Sequence, residues 1–323
     1  MLKGGKVLIT GGAGFIGSHL VDRLMSEGYK VTVVDDLSSG CVENVKSWLD
    51  NPAFRFLKGD LKNPGGWIDE FRGVDVAFHY AANPEVRVSV TEPRIHFEEN
   101  LQATFNVLEA CRFFKIPLLV FASTSAVYGD AEQIPTPEDY TPLKPISVYG
   151  AVKLACETLI ATYSRLYGLK SLILRYANVV GPRSKHGVLI DFVKKLKFNP
   201  NRLEILGNGL QRKSYIYVED AVDATLKALE YMLENDSLEE IFNVGSEDWV
   251  TVKDIADMVV GAMGLNGVEY VYKPATGDGR GWPGDVKLML LDVSRLKRAA
   301  GWRPKMGSKE ALWKTLENLI SKV

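Results

Sequence analysis

The sequence predicts an α/β protein, a doubly wound parallel sheet with helices on both faces, followed by a smaller C-terminal α/β lobe. Short β-branched or aromatic runs alternate with stretches whose apolar residues recur every three or four positions. The strand-like runs are nearly continuous in apolar residues, as strands covered on both faces are. The first of them runs straight into a glycine cluster that opens a helix.

In chain order, KVLIT at 6–10, KVTVVD at 30–35, FRFLKGD at 54–60, VDVAFHYAA at 74–82, PLLVFAST at 117–124 and SLILRYA at 171–177 read as strands. Between them, 15–27, 94–115 and 148–167 read as helices with one apolar face each. After 177 the rhythm breaks into NVVGPRSKHGV, a helix-like stretch and the glycine-punctuated LEILGNGLQRKSYIYVED, the kind of segment that carries ligand contacts. A helix at about 219–234 and the strand IFNVG at 241–245 resume the first pattern. The remainder, ending in an amphipathic tail with Leu312, Leu316, Leu319 and Ile320, completes the smaller lobe. The first domain is therefore expected to comprise 1–176 and 212–246, and the second 177–211 and 247–323, with a small ligand in the crevice between them.

With 46% hydrophobic and 24% charged residues, the chain of 323 residues falls in the ordinary globular range. A formal charge of −1 offers no basic field to a polyanion, so nucleic acid is not an expected partner. Cys41, Cys111 and Cys156 are odd in number and widely spaced, which suits a reducing compartment and predicts neither a disulfide framework nor a metal site. The N-terminus passes from Lys3 and Lys6 through VLIT into glycines, too short an apolar run for a signal peptide, and no segment reaches membrane-spanning length. A soluble cytoplasmic protein with no membrane partner is the expectation.

TGGAGFIG, Thr10 to Gly17, follows the first strand and opens the first helix. Gly11, Gly14 and Gly17 permit a tight turn and close approach of backbone to a pyrophosphate, whose charge is met by amides and the positive end of the helix dipole. Asp35 closes the second strand, where a carboxylate accepts hydrogen bonds from an adenosine ribose. That acid repels a ribose phosphate, and DDLSSG at 35–40 supplies no cation to hold one, so NAD is predicted over NADP. Asp60 is placed to reach the adenine or merely to end its strand.

ISVYGAVKLACE, 146–157, puts Tyr149 and Lys153 four residues apart on one helix face. Alone, this spacing describes many helix surfaces. Beside an NAD site it has a chemical use. An ammonium and a positive nicotinamide ring both favour phenolate over a phenol whose ordinary pKa is about 10, bringing Tyr149 toward general-base work. The hydroxyls of FASTSAVYG at 121–129 lie at the carboxyl end of the fifth strand, where open α/β sheets place ligands.

TGGAGFIG, HYAA at 79–82, the Ser/Thr run ending in VYG, YGAVK and RYANVVGPR at 175–183 together resemble the extended short-chain dehydrogenase/reductase family, the NAD-dependent sugar-nucleotide epimerases and dehydratases. ANPEVR, GNGLQRKSYIYV and GRGWPGDVK are similar to the compact archaeal branch of the UDP-glucose (UDP-galactose) 4-epimerases. The resemblance runs from the first strand to GWRP at 301–304 and implies a Rossmann domain, a UDP-sugar substrate and tightly held NAD.

It further implies that Tyr149 takes the proton from the sugar 4-hydroxyl, assisted by Thr124 and by Lys153, which also bonds the nicotinamide ribose. Cofactor contacts are implied at Gly11, Gly14, Phe15, Ile16 and Gly17, at Asp35, Asp36, Leu37, Ser38, Ser39 and Gly40, and at Asp60 and Leu61. Ala81, Ala82, Asn83, Asn100, Ser123, Tyr149, Lys153 and Tyr176 follow, with Asn100 equally readable as a helix-start cap. Substrate contacts are implied at Thr124, Tyr149, Asn178, Val188, Leu189, Leu206, Lys213 and Arg280. RKSY, 212–215, departs from the family's T-R-D-Y, which leaves Arg212 or Lys213 as the phosphate cation, and Pro84 replaces a lysine, which leaves Arg87 as the nearest cation there. Met289 falls where some relatives carry a bulky Tyr, so N-acetylated sugars are expected to enter. The resemblance implies a homodimer through the helices at 94–115 and 148–167, with Phe105, Phe113 and Leu159 as candidate contacts. His79 and His186 read as structural, without metal-ligand company.

A sugar-nucleotide 4,6-dehydratase of the same family uses an Asp-Glu pair directly after its threonine; here Ser125 and Ala126 stand there, so elimination lacks its proton carriers. An enzyme acting on UDP-glucuronate stays open, as does a non-catalytic NAD or nucleotide-sugar sensor, although a sensor has no use for Tyr149, Lys153 and Thr124 together.

Overall fold

The alternating apolar runs fold as expected, and the chain orders them around its first strand. The structure, a computed structural model, describes residues 4–321; Lys3 of the N-terminal reading lies outside the described residues. Strands β1 (Lys6–Thr10), β2 (Lys30–Asp35), β3 (Phe54–Lys58), β4 (Val76–His79), β5 (Leu118–Thr124) and β6 (Lys170–Tyr176) alternate with helical segments. They are followed by β7 (Asn178–Val180), β8 (Arg202–Leu206), β9 (Arg212–Lys213), β10 (Tyr215–Tyr217), β11 (Glu239–Val244), β12 (Val250–Thr251), β13 (Glu269–Lys273) and β14 (Leu288–Met289). The helices are α1 (Phe15–Ser26), α2 (Val88–Thr91), α3 (Pro93–His96), α4 (Ala103–Phe114), α5 (Val148–Tyr167), α6 (Val188–Phe198), α7 (Val218–Glu234), α8 (Val252–Ala262), α9 (Ser294–Ala300) and α10 (Ser308–Ile320).

The main sheet is parallel and seven-stranded, in the order β11-β6-β5-β4-β1-β2-β3. From β1 the chain winds outward through β2 and β3, then returns to place β4 on the other side of β1. The strand order thus reverses beside β1, and the carboxyl ends of β1 and β4 diverge into a crevice. Period-two alternation sends Val7 and Ile9 to one core, with Leu20, Leu24, Phe78 and Leu174, and Leu8 to the other, with Val34, Phe121, Cys156 and Ile173. A third core, around Leu189, Phe192, Leu203, Ile255 and Leu312, belongs to the C-terminal elements, where β8 pairs with β13 and β9 lies between β12 and β14.

Helix α5 starts where its sequence says it can. The Ser147 hydroxyl accepts from the Gly150 amide at 3.1 Å, and Gly168 closes the helix in the left-handed region at φ 70°. The segment 94–115, expected as one helix, is broken: α3 passes through a π-helical stretch, Phe97–Gln102, before α4 begins. Asn100 lies inside that stretch, so it caps no helix start. The 3₁₀ turns at Val42–Trp48 and Gly66–Phe71 were not expected from the apolar pattern. Phe105 and Phe113 of α4 are exposed at 45% and 72%, whereas Leu159 is half-buried against the second core and is not an exposed residue. No helix among the described residues is long and apolar enough to cross a membrane.

Candidate active site

A cavity of about 510 Å³ opens along the carboxyl ends of the main sheet, within the size range of small-molecule sites. Its floor is the glycine turn. Gly11 has φ +71°, and a Cβ there would lie 2.5 Å from the Ala81 amide nitrogen; a Cβ on Gly17 would lie 2.2 Å from the Gly11 carbonyl oxygen. Side chains are therefore excluded where the turn folds under α1, whose first-turn amides have no partner within the helix. No acidic residue occupies that first turn, which leaves its positive end for an anion.

Asp35, buried at the end of β2, accepts from the Ala13 amide at 2.9 Å and the Leu37 amide at 2.8 Å. Burial pushes its carboxyl upward, and these amides act against that shift. A glycine cradle that a Cβ would fill, an uncapped helix N-terminus and a carboxylate at the neighbouring strand end fit a dinucleotide. Gly17→Ala forces the turn and helix apart at their tightest contact. The variant is expected to lose NAD binding by at least tenfold, read by titrating NAD into stripped protein; unchanged affinity would mean that the turn opens without cost.

At the other end of the cavity, the Thr124 side chain stands close enough to the Tyr149 phenol to favour its phenolate, and the Thr124 hydroxyl accepts from the Ala126 amide at 3.2 Å. Burial pushes Tyr149 up to about 12, and Thr124 works in the opposite direction. Lys153 makes no hydrogen bond to the phenol. Its ammonium donates to the Ala122 carbonyl at 2.8 Å and lies 4.5 Å from the centre of the Phe121 ring. Burial lowers its pKa to about 8. The expectation that Lys153 depresses the phenol's pKa is thus not met by the protein alone.

Beneath this pair runs a buried ionic network. Arg175 of β6 donates to Glu157 of α5 at 2.7 Å, to the Tyr128 hydroxyl at 2.9 Å and to the Glu138 carbonyl at 3.0 Å. Ser123, one residue before Thr124, donates to the same Glu157 carboxylate. The network therefore ties the end of β5 to the helix carrying Tyr149 and Lys153. Behind the glycine turn, the Thr104 hydroxyl donates to the Asn100 carbonyl at 2.6 Å and so accepts from His79 Nε2, leaving Nδ1 to accept from Thr10 at 2.7 Å. Burial, with the charge of Lys153, lowers His79 to about 3, which keeps it neutral and structural.

Most of the sequence-predicted residues come together on one wall. Gly11, Gly14, Phe15, Ile16, Gly17, Asp35, Asp36, Ser38, Ser39 and Gly40 line the cavity, as do Asp60, Leu61, Ala81, Ala82, Ser123, Thr124, Tyr149, Lys153 and Tyr176. Asn178, Val188, Leu189, Leu206 and Lys213 line its opposite part. Four do not line it. Leu37 turns back at φ +66°, with its amide on Asp35. Asn100 is buried and grips Asn83, accepting from the Asn83 amide at 2.7 Å, so both stand behind the wall. Arg280 spends its fork on Asp130 at 2.7 Å and Asp278 at 2.8 Å and donates to the Asp285 carbonyl at 2.6 Å.

Of the two candidate phosphate cations, Lys213 lies on the cavity, paired with Asp285 at 2.5 Å, while Arg212 lies over the Trp249 ring outside it. Met289 is buried in the main core, beside Lys213, and is not among the residues that line the cavity. Sequence reasoning missed Lys185, whose ammonium reaches the Ser39 carbonyl at 3.1 Å, and it missed Gln211 and Trp282 on the wall. The glycines of GNGLQ and GRGW were the available signal. A Cβ on Gly207 would lie 1.8 Å from the Gln211 amide nitrogen, so that glycine makes room for the side chain.

Residues 7–245 match the NAD dependent epimerase/dehydratase family. A solved UDP-galactose 4-epimerase is 51% identical, covering 98% of this chain and 99% of its own, with a TM-score of 0.87. A protein of Methanocaldococcus jannaschii, provisionally named a UDP-glucose 4-epimerase, is 35% identical over 95% of both chains. The UDP-glucuronic acid 4-epimerase of Bacillus cereus, solved with UDP-glucuronic acid and NAD, is 28% identical over 98% of this chain and all of its own, with a TM-score of 0.88. The family match, the seven-stranded fold and the glycine cradle agree: the chain belongs to the NAD-dependent epimerase/dehydratase family of extended short-chain dehydrogenase/reductases, enzymes of nucleotide sugars.

Proposed function

We propose that this enzyme interconverts UDP-glucose and UDP-galactose, inverting the sugar carbon-4 hydroxyl through a transient 4-keto sugar. The observation that carries the reading is the closeness of the Tyr149 and Thr124 side chains in the cavity, followed by a turn whose Ser125 and Ala126 offer neither acid nor base. Bound NAD supplies the hydride acceptor and donor.

The chain's own work is positional and protonic. Tyr149, as phenolate, takes the proton from the 4-hydroxyl and gives it back after the sugar has presented its other face. Thr124 accepts from the Ala126 amide, which fixes its oxygen and leaves its own proton free to bridge Tyr149 and the sugar. Lys153 holds a positive charge beneath the site while its carbonyl bond to Ala122 fixes where that charge lies. The glycine turn and the Asp35–Gly40 loop hold the dinucleotide, while Asn178, the start of α6, Leu206 and Lys213 hold the UDP portion. Support comes also from the 51% identity to a UDP-galactose 4-epimerase.

The test is turnover of UDP-galactose to UDP-glucose by the NAD-bound protein, beside UDP-N-acetylgalactosamine and UDP-glucuronate. UDP-galactose is expected to be turned over with a kcat/KM at least tenfold above UDP-glucuronate. Preference for UDP-glucuronate, or no turnover of UDP-galactose, would overturn the substrate assignment.

A further inference from the structure

Glu85 and Arg87 both line the cavity. They stand near its proton-transfer end: Ser89, two residues on, accepts from the Tyr149 amide at 3.1 Å, and the ring centre of His96, on the same winding segment, lies 5.5 Å from that of Tyr149. Arg87 is the cation this segment offers, and it is already engaged. Its Nε donates to one Glu85 oxygen at 2.9 Å and its Nη2 to the other at 3.1 Å, a two-pronged pair that uses one edge of the guanidinium. The Arg87 side chain is 47% exposed and that of Glu85 33%.

The other lysines and arginines on the wall are committed elsewhere, Lys62 to Asp60 and Glu99, while burial disfavours charge on His186 beside the pair. Lys153 faces the Ala122 carbonyl, Lys185 the Ser39 carbonyl, Arg183 pairs with Asp22 at 2.7 Å and Lys213 with Asp285. The charge of Asp191, which also lines the cavity, is felt at Arg87 as well, and Asp191 is paired with Lys195 at 2.9 Å.

We propose that Glu85 is a specificity-determining residue: by occupying the fork of Arg87 it denies that cation to a carboxylate at sugar carbon 6, so that the site takes neutral hexoses and turns away uronates. The proposal rests on the reading of the site as a UDP-hexose epimerase. A carboxylate two residues away in the same chain competes at an effective concentration on the order of millimolar or more. A uronate arriving from solution displaces it only by leaving Glu85 unpaired beside a second negative charge. A neutral hydroxymethyl group meets no such opposition.

Binding, not turnover, tests this, so the result is separable from the substrate assignment. Calorimetric titration of UDP-glucose and UDP-glucuronate into the NAD-bound protein gives the affinity ratio for wild type, Glu85→Gln and the double variant Glu85→Gln/Arg87→Met. Wild type is expected to favour UDP-glucose. Glu85→Gln is expected to shift the ratio toward UDP-glucuronate by about tenfold, and removal of Arg87 to return it. Thermal unfolding of the NAD-bound proteins checks the fold independently of the sugar, and the three transitions are expected to coincide. Wild type binding both sugars equally, a ratio moved by less than twofold in Glu85→Gln, or a shift that survives loss of Arg87 would each overturn the proposal.

Discussion

Tyr149→Phe is expected to lose about 10³-fold or more in kcat with UDP-galactose while still folding and binding NAD. The phenol is the group that must carry the proton, and its setting explains why so little of it is ready in the empty protein. Burial holds Tyr149 near 12, so at pH 7 roughly one molecule in 10⁵ carries phenolate. Lys153 is committed to the Ala122 carbonyl and leaves that value high. With NAD held by the glycine turn and Asp35, the positive charge of its nicotinamide ring would supply the stabilisation of phenolate that the chain by itself lacks. Because the working form is the deprotonated one, kcat/KM should rise with pH up to the phenol's pKa in the loaded enzyme. That rise should disappear in Tyr149→Phe. Residual activity of the variant within tenfold of wild type, with the pH dependence intact, would assign the base elsewhere.

The second large effect is on stability. Arg175→Met is expected to destabilise the protein by about 3–5 kcal/mol, because it strands a buried carboxylate. The side chains of Arg175 and Glu157 are only 4% and 5% exposed. Taking two charges out of water is costly, and their attraction repays it only while both are present and their remaining positions are bonded. Here they are: Ser123 donates to Glu157, and Tyr128 and the Glu138 carbonyl accept from Arg175. Removing both charges with Arg175→Met/Glu157→Leu is therefore expected to recover most of the loss. Denaturant unfolding of the NAD-bound proteins measures both. A single variant within about 1 kcal/mol of wild type would show that water reaches the carboxylate. Since Ser123 precedes Thr124 and Glu157 follows Lys153 by one helical turn, the same variants should also lower kcat by loosening the strand against the helix.

What could be read from the sequence was what is settled between near neighbours. The parallel strands, the glycine turn and the acid that ends β2 fall within Lys6–Asp35, and the crowding that demands glycine at 17 is local to that turn. Tyr149 and Lys153 share a helix face by spacing alone, and Ser147 announces the helix start. What was hidden depends on partners far along the chain. Lys185 meets the loop at Ser39, and Arg280 is claimed by Asp130, each across more than a hundred residues. No local pattern encodes those meetings. The two- and three-residue strands β7, β9, β10, β12 and β14 exist only because a partner lies beside them, and the π-helical stretch that turns Asn100 onto Asn83 has no compositional mark. Lys153 shows a different limit: spacing placed it on the right face, but which acceptor its flexible stem would choose depended on the Ala122 carbonyl of another element.

The position of β11 bears on how the chain is made. It covers the outer edge of β6, the strand carrying Arg175 and Tyr176, yet it is the last strand of the main sheet to leave the ribosome. Until Glu239 emerges, β6 offers an open row of backbone donors and acceptors to any passing strand. At about 5–20 residues per second, synthesis of the stretch from Tyr176 to Glu239 lasts several seconds. For that interval the nascent enzyme is exposed to mispairing on the side of the sheet where its buried ion pair must form.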